Sequence, residues 1–226
     1  MRYRVAAINQ GAAHATRDVQ QGGAMRAIDR LCAETHASIL FGANSWLGPR
    51  QVSNAAMLVT PQGGEFSNAK QRLVPFGERA SYSQYLPFLS RLAPDPPVTP
   101  ARAVHLLPLP LRSAPGQVLR TLNIGSIICF ESCFRYPAHT LGRAGAQALF
   151  VLTNDEWFAG TNSPWEHVAM ATVRAVENGV PVVQAANAGY SFAVDRYGRF
   201  VANMSTNSNL SNYGVAQPVA VNVPLP

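Results

Sequence analysis

The stretch NIGSIICFES (Asn123–Ser132) decides how the chain is read. It is apolar through Ile127 and Ile128, then stops on Cys129, with Glu131 two positions later. A short apolar run closed by polar residues reads as a buried strand. Functional groups in layered α/β folds gather where such strands end. A buried thiol is ordinary packing, but packing gives no reason for the carboxylate beside it. Cys129 is therefore either a core residue or a nucleophile, and its surroundings must decide.

On the C-terminal side a helix is expected over 136–145, then a strand in AQALFVLTND. SPWEHVAMATVRAVENG carries strong helix punctuation. Ser163 can cap, Pro164 suits the first turn and Glu166 lies three after the cap. Asn178-Gly179 and Pro181 end the helix. VPVVQAAN and YSFAVDRYGRF follow as strands, the second turning at DRYG. On the N-terminal side RYRVAAIN (2–9), SILFGA (38–43) and AAMLVT (55–60) read as strands, with PQGG as a turn after the last. Residues 24–36 place Met25, Ile28, Leu31 and Cys32 on one helical face. Residues 84–118 are proline-rich and read as an ordered surface excursion. Strands alternating with helices favour a layered α/β arrangement.

At 226 residues the chain is long enough for one domain with a substantial core. Hydrophobic content of 47% against 13% charged residues excludes a disordered class. No run approaches the roughly 20 apolar residues that span a bilayer, and the N-terminal apolar run is too short for a secretion signal. The expected location as encoded is the cytoplasm. Three cysteines and five scattered histidines show no metal-ligand spacing, so no metal and no cofactor are expected. The net charge of +6 comes from dispersed arginines without interleaved aromatics, which argues against a nucleic-acid partner. Lys70 is the single lysine of the chain.

A cysteine that attacks a carbonyl needs a cation to favour its thiolate. It also needs donors for the oxyanion and a proton acceptor. The chain offers Cys129 at a strand tip, Lys70 in KQRLVPFGE, and Glu78 and Glu131 close to them in sequence. Two further strand ends, TNDEWF and AANAGYS, are polar.

In order, KQRLVPFGE, ICFE, TNDEWF, SPWEHVAMATVRAVENG and AANAGYS resemble the nitrilase (carbon-nitrogen hydrolase) superfamily. The likeness is nearest to the catalytic domain of the apolipoprotein N-acyltransferases and their conjugal-transfer relatives. It is strongest over 38–205, within a single nitrilase-like domain expected over 1–226. The resemblance implies a four-layer α-β-β-α sandwich and a Glu-Lys-Cys triad that forms a thioester. Lys70 matches the triad lysine and Cys129 the nucleophile. Glu78 matches the carboxylate that supports the lysine, Glu131 the acid two after the cysteine, and Phe130 the aromatic between them. Asn154, Asp155 and Trp157 fall at the strand end near the pocket. The helix with Arg174 and Glu177 resembles the one that buttresses the cysteine loop.

The resemblance implies transfer of a phospholipid acyl chain to a lipoprotein amine. The alternatives are a soluble amidase using water on a small amide, or an inactive nitrilase-like domain. The acyl donor would be a lipid or small molecule, the acceptor an amine or water, and a homodimer is possible in such a family. The sequence departs from the family at its triad glutamate. Of the four acids before Lys70 (Asp18, Asp29, Glu34, Glu65), none follows a proline or an apolar strand. The family's membrane helices are also absent as written, which leaves a truncated or a degenerate copy as expectations. The periplasmic face of the inner membrane is the expected location if the chain is a fragment.

Overall fold

The computed structural model describes residues 6–8, 23–48, 51–75, 77–78, 98–114, 117–158, 160–187, 189–201 and 205–206. Two sheets form the middle of the molecule. The first has the order β1-β2-β3-β4, with β1 (Ala6–Ile8) parallel to β2 (Ile39–Gly48), then β3 (Gln51–Val59) and β4 (Glu65–Ala69) antiparallel. The second, β10-β9-β8-β7-β6-β5, joins β5 (Leu107–Ala114), β6 (Gln117–Ile128), β7 (Ala148–Asn154), β8 (Val182–Asn187), β9 (Tyr190–Val194) and β10 (Ser205–Thr206). Strands β6, β7 and β8 are parallel, and the crossovers between them carry the helices α2 (Arg135–Arg143) and α3 (Ser163–Asn178). Helix α1 (Gly23–Thr35) connects β1 to β2.

Three apolar clusters define four layers. Cys32 of α1 packs with Ile39, Phe41, Ala43 and Val59 on the outer side of the first sheet. Leu40, Ala56 and Leu58 meet Leu109, Leu122, Ile124 and Ile128 between the sheets. Ile127, Leu149 and Val151 face Leu141 of α2 and Val168 and Ala171 of α3. The period of two along β6 sorts these sides: Ile124 and Ile128 look to the other sheet, Ile127 to the helices. Gly125 also lies on the helical side, where a Cβ would stand 2.8 Å from Leu149 and 3.0 Å from Leu141. Its missing side chain is what lets α2 approach. The expected α-β-β-α sandwich is thus present.

Several boundaries differ from expectation. LPLPLRSA is a strand, β5, and not part of a loop; residues 84–97 of the same stretch lie outside the described residues. Leu107, Leu109 and Leu111 are buried at alternate positions, so burial outweighs proline's poor strand propensity. β5 tolerates Pro108 and Pro110 because it is the edge strand, where an absent N–H breaks no ladder. Strand β6 starts at Gln117 and ends at Ile128, and Cys129–Cys133 form a 3₁₀ turn. Strand β2 runs past Ala43 to Gly48, paired with β3 along its length. Leu31 is 44% exposed and lies off the buried face of α1. Asn162, not Ser163, is the cap of α3; its carbonyl accepts from Trp165 and Glu166 while Ser163 is already helical. Gly179, at φ +66°, closes that helix as expected.

Candidate active site

Strand β6 delivers Cys129 to the end of the second sheet, and the chain then turns sharply. Cys129 has φ +52°, a left-handed conformation that a non-glycine residue adopts at a cost of about 1–3 kcal/mol. Such strain persists only where the surroundings enforce it, and Glu131 supplies that enforcement. Its Oε2 accepts from the Ile128 N–H at 3.0 Å, closing the turn around Cys129. Its Oε1 accepts from the N–H groups of Gln71 and Arg72 at 2.7 and 3.0 Å. One carboxylate, 3% exposed, therefore ties the cysteine turn to the segment that follows Lys70. Burial pushes this carboxyl above the usual range against the pull of those three N–H groups and of Lys70.

Lys70 follows directly on β4, the strand that Glu65 opens. The register of β4 against the second sheet is set by Asn68. Its amide donates to the Ser126 carbonyl and hydroxyl at 3.1 and 3.0 Å, and its oxygen accepts from the His105 N–H. Lys70, two residues on, falls on the same side of the strand. It is 1% exposed, and its Nζ lies 2.9 and 2.8 Å from the two oxygens of Glu78. A buried ammonium needs such a partner. Glu78 is itself fixed by Asn54 Nδ2 at 3.1 Å and the Val74 N–H at 2.8 Å.

Lys70, Glu78 and Glu131 are thus gathered beside the turn that begins at Cys129. Phe130 lies half-buried in that turn, its ring edge-on to Phe134 at 5.0 Å. At the end of β7 the three expected residues part company. Asn154 caps the next turn, accepting from the Glu156 N–H at 3.2 Å. Asp155 is fully buried, and its Oδ1 accepts from Thr153 Oγ1 at 2.7 Å and lies 2.8 Å from His167 Nδ1. Trp157 is 83% exposed and is not brought into the site. Arg174 and Glu177 pair at 3.3 Å on α3.

The sequence reading passed over Asn68 and His167. The second was visible as a histidine one turn before Ala171 on the apolar face of an amphipathic helix. The triad glutamate has no counterpart among the described residues, and Asp18 lies outside them. No cluster of metal ligands occurs among the described residues.

The chain is similar to known proteins in sequence and in fold. The chain is 39% identical over 152 residues to an apolipoprotein N-acyltransferase of Chlorobaculum tepidum, covering 66% of this chain and 28% of that protein. It is 35% identical over 147 residues to the one of Geobacter metallireducens, covering 64% and 26%. The chain therefore spans little more than a quarter of the length of these curated relatives. Among solved structures, an amidase from Nesterenkonia sp. AN1 superposes with a TM-score of 0.58 at 18% identity, over 84% of this chain and 67% of that one. A carbon-nitrogen hydrolase from Helicobacter pylori G27 gives 0.61 at 13% identity, over 84% and 64%. The two solved structures share the fold of this chain. The family model for carbon-nitrogen hydrolases matches residues 6–217, and the chain belongs to that family.

Proposed function

We propose that the chain carries out thiol-dependent acyl transfer through a thioester on Cys129. Its donor is an acyl ester such as a phospholipid, and its acceptor is an amine. The observation that carries this reading is the Glu131 clamp, which binds the strained Cys129 turn to the segment bearing a buried, paired lysine.

The Cys129 sulfur attacks the ester carbonyl. A C–S bond forms, and the oxyanion is met by the Lys70 ammonium and by backbone N–H groups of the turn. The C–O bond then breaks, and the alcohol leaves with the proton that the thiol gave up. In the second half the amine attacks the thioester, a C–N bond forms, the C–S bond breaks, and the proton shed by the nitrogen returns to the sulfur. Glu78 holds the lysine charged and in place, and Glu131 holds the two segments in register. Both are occupied by those tasks.

A donor of this kind would bring the domain to a membrane surface, at the periplasmic face of the inner membrane in the acyltransferase reading. Among the described residues no helix is long and apolar enough to cross a bilayer. The amidase likeness in fold favours a second reading, with water as acceptor and a small amide as donor.

The deciding experiment incubates the protein with phospholipid vesicles carrying an isotope-labelled acyl chain and maps the label by mass spectrometry. A hydroxylamine-labile acyl group on Cys129, absent in Cys129→Ser and discharged by an amine, is expected. Ammonia release from simple amides without any acyl label would overturn transfer in favour of hydrolysis. Neither signal would sink both.

A further inference from the structure

Behind the cysteine turn lies a buried group that acyl transfer, as set out above, leaves without a task. His167 in α3 is 4% exposed, and its Nδ1 is 2.8 Å from Asp155 Oδ1. Asp155 has no exposed surface, and its second oxygen, Oδ2, has no hydrogen-bond partner. A carboxylate so far from water calls for a cation, and the one its contacts supply is His167. The helix that carries His167 packs against the cysteine turn, and the Cys133 and Cys129 side chains stand near enough to act on the charge of the imidazole. The edge of Phe158 closes over the ring, with centroids 5.4 Å apart.

The geometry points to His167 as a positioning residue for Cys129. Gripped by Asp155, on the helix that packs against the Cys129–Cys133 turn, it braces that turn from the helical layer and sets a standing positive charge behind the nucleophile. This inference rests on Cys129 being the nucleophile of the proposed reaction. Lys70 then contributes charge from the four-stranded sheet and His167 from the opposite side of the six-stranded one. Negative charge gathering on the sulfur is drawn by both.

The groups acting on the ring are Asp155 from the end of β7, and Cys133 and Cys129 from the turn. On its own helix Glu166 is exposed, and Arg174 is paired with Glu177. Burial favours the neutral imidazole. The bond to Asp155, the nearby Cys133 side chain and the charges of Asp155 and Cys129 outweigh it and push His167 up to about 10.

Two measurements test this. In the first, the His167 ring is titrated by NMR in the wild-type protein and in Asp155→Asn. It is expected to stay protonated past neutrality in the wild type and to titrate near the ordinary value of about 6.5 in the variant. In the second, iodoacetamide labelling at pH 7 is followed site by site in wild type and His167→Gln, with Cys32 as the internal reference and melting curves as the control for folding. Labelling of Cys129 should slow roughly tenfold, the size of an ordinary charge effect on an ionisable neighbour. A neutral ring at pH 7 in the wild type, or an unchanged Cys129 rate in folded His167→Gln, overturns the inference. If that variant fails to fold, the ring titration decides. Wild-type Cys129 reacting no faster than Cys32 would instead defeat the acyl-transfer reading, a result separable from the state of the ring.

Discussion

The two flanks of the Cys129–Cys133 turn are each held by a buried carboxyl group, but the two groups are satisfied by different chemistry. On the lysine flank Glu131 accepts three backbone N–H groups, two of them from residues 59 and 60 positions away. On the helical flank Asp155 has a hydroxyl, a histidine and one bare oxygen. Backbone donors cannot titrate, so the first flank is a mechanical joint. A histidine can, so the second flank is where pH above neutrality reaches the site.

Both flanks contain a group whose pKa is raised, for opposite reasons. Burial resists charge on Glu131, whereas the partners of His167 favour charge there. In each case the folded state holds the proton more tightly than the unfolded chain does, so each contribution to stability is complete at low pH and lost as pH rises. The windows differ. Glu131 acts in acid, from its unfolded value of about 4.5 upward; His167 acts from about 6.5 to about 10.

The largest effect should come from breaking the mechanical joint. Glu131→Ala orphans three N–H groups, and at about 1 kcal/mol for each of the two part-buried donors and about 1–3 kcal/mol for the buried one the protein should lose about 3–5 kcal/mol. The midpoint of a urea titration measures this. A loss below 1 kcal/mol would mean that the two segments hold together without the clamp. Next in size is Gly125→Ala, whose new methyl meets Leu149 and Leu141 and should cost about 1–3 kcal/mol by overpacking. It disturbs the helical layer without touching the carboxylate joint, so Cys129 labelling should survive in the folded fraction.

The helical flank gives the third prediction. Stability followed by denaturant titration at a series of pH values should fall between about 6.5 and about 10 in the wild type. That slope should flatten in His167→Gln; an equal slope in both would detach His167 from the pH response. The smallest effect is expected at Trp157, which is 83% exposed. Trp157→Ser should change stability by less than about 0.5 kcal/mol and leave Cys129 labelling as it was. A large fall in labelling would restore Trp157 to the site.

Much of the layering was legible because burial writes a period into the chain. Ile124 and Ile128 facing one way and Ile127 the other is a period of two. The helix ending at Gly179 was marked by the residue type that its φ of +66° favours. β5 was hidden because prolines are read as loop residues, and an edge position cannot be inferred without knowing the strand order. The exposure of Trp157 was hidden because a motif gives sequence proximity to a strand end, not the direction in which a side chain leaves it.

The sequence alone determined that a thiol would stand at the tip of a buried strand, with a solitary lysine and several carboxylates in a fixed order around it. Those features are local: apolar runs, turn residues and the order of motifs need no knowledge of what packs where. Tertiary structure alone decided which carboxylate does what. Glu131 reaches Gln71 and Arg72, Glu78 holds Lys70, and Asp155 engages His167. A charged group's partner depends on which layers face each other. That pairing is set by the burial of both sheets together, and no single stretch of the chain contains it.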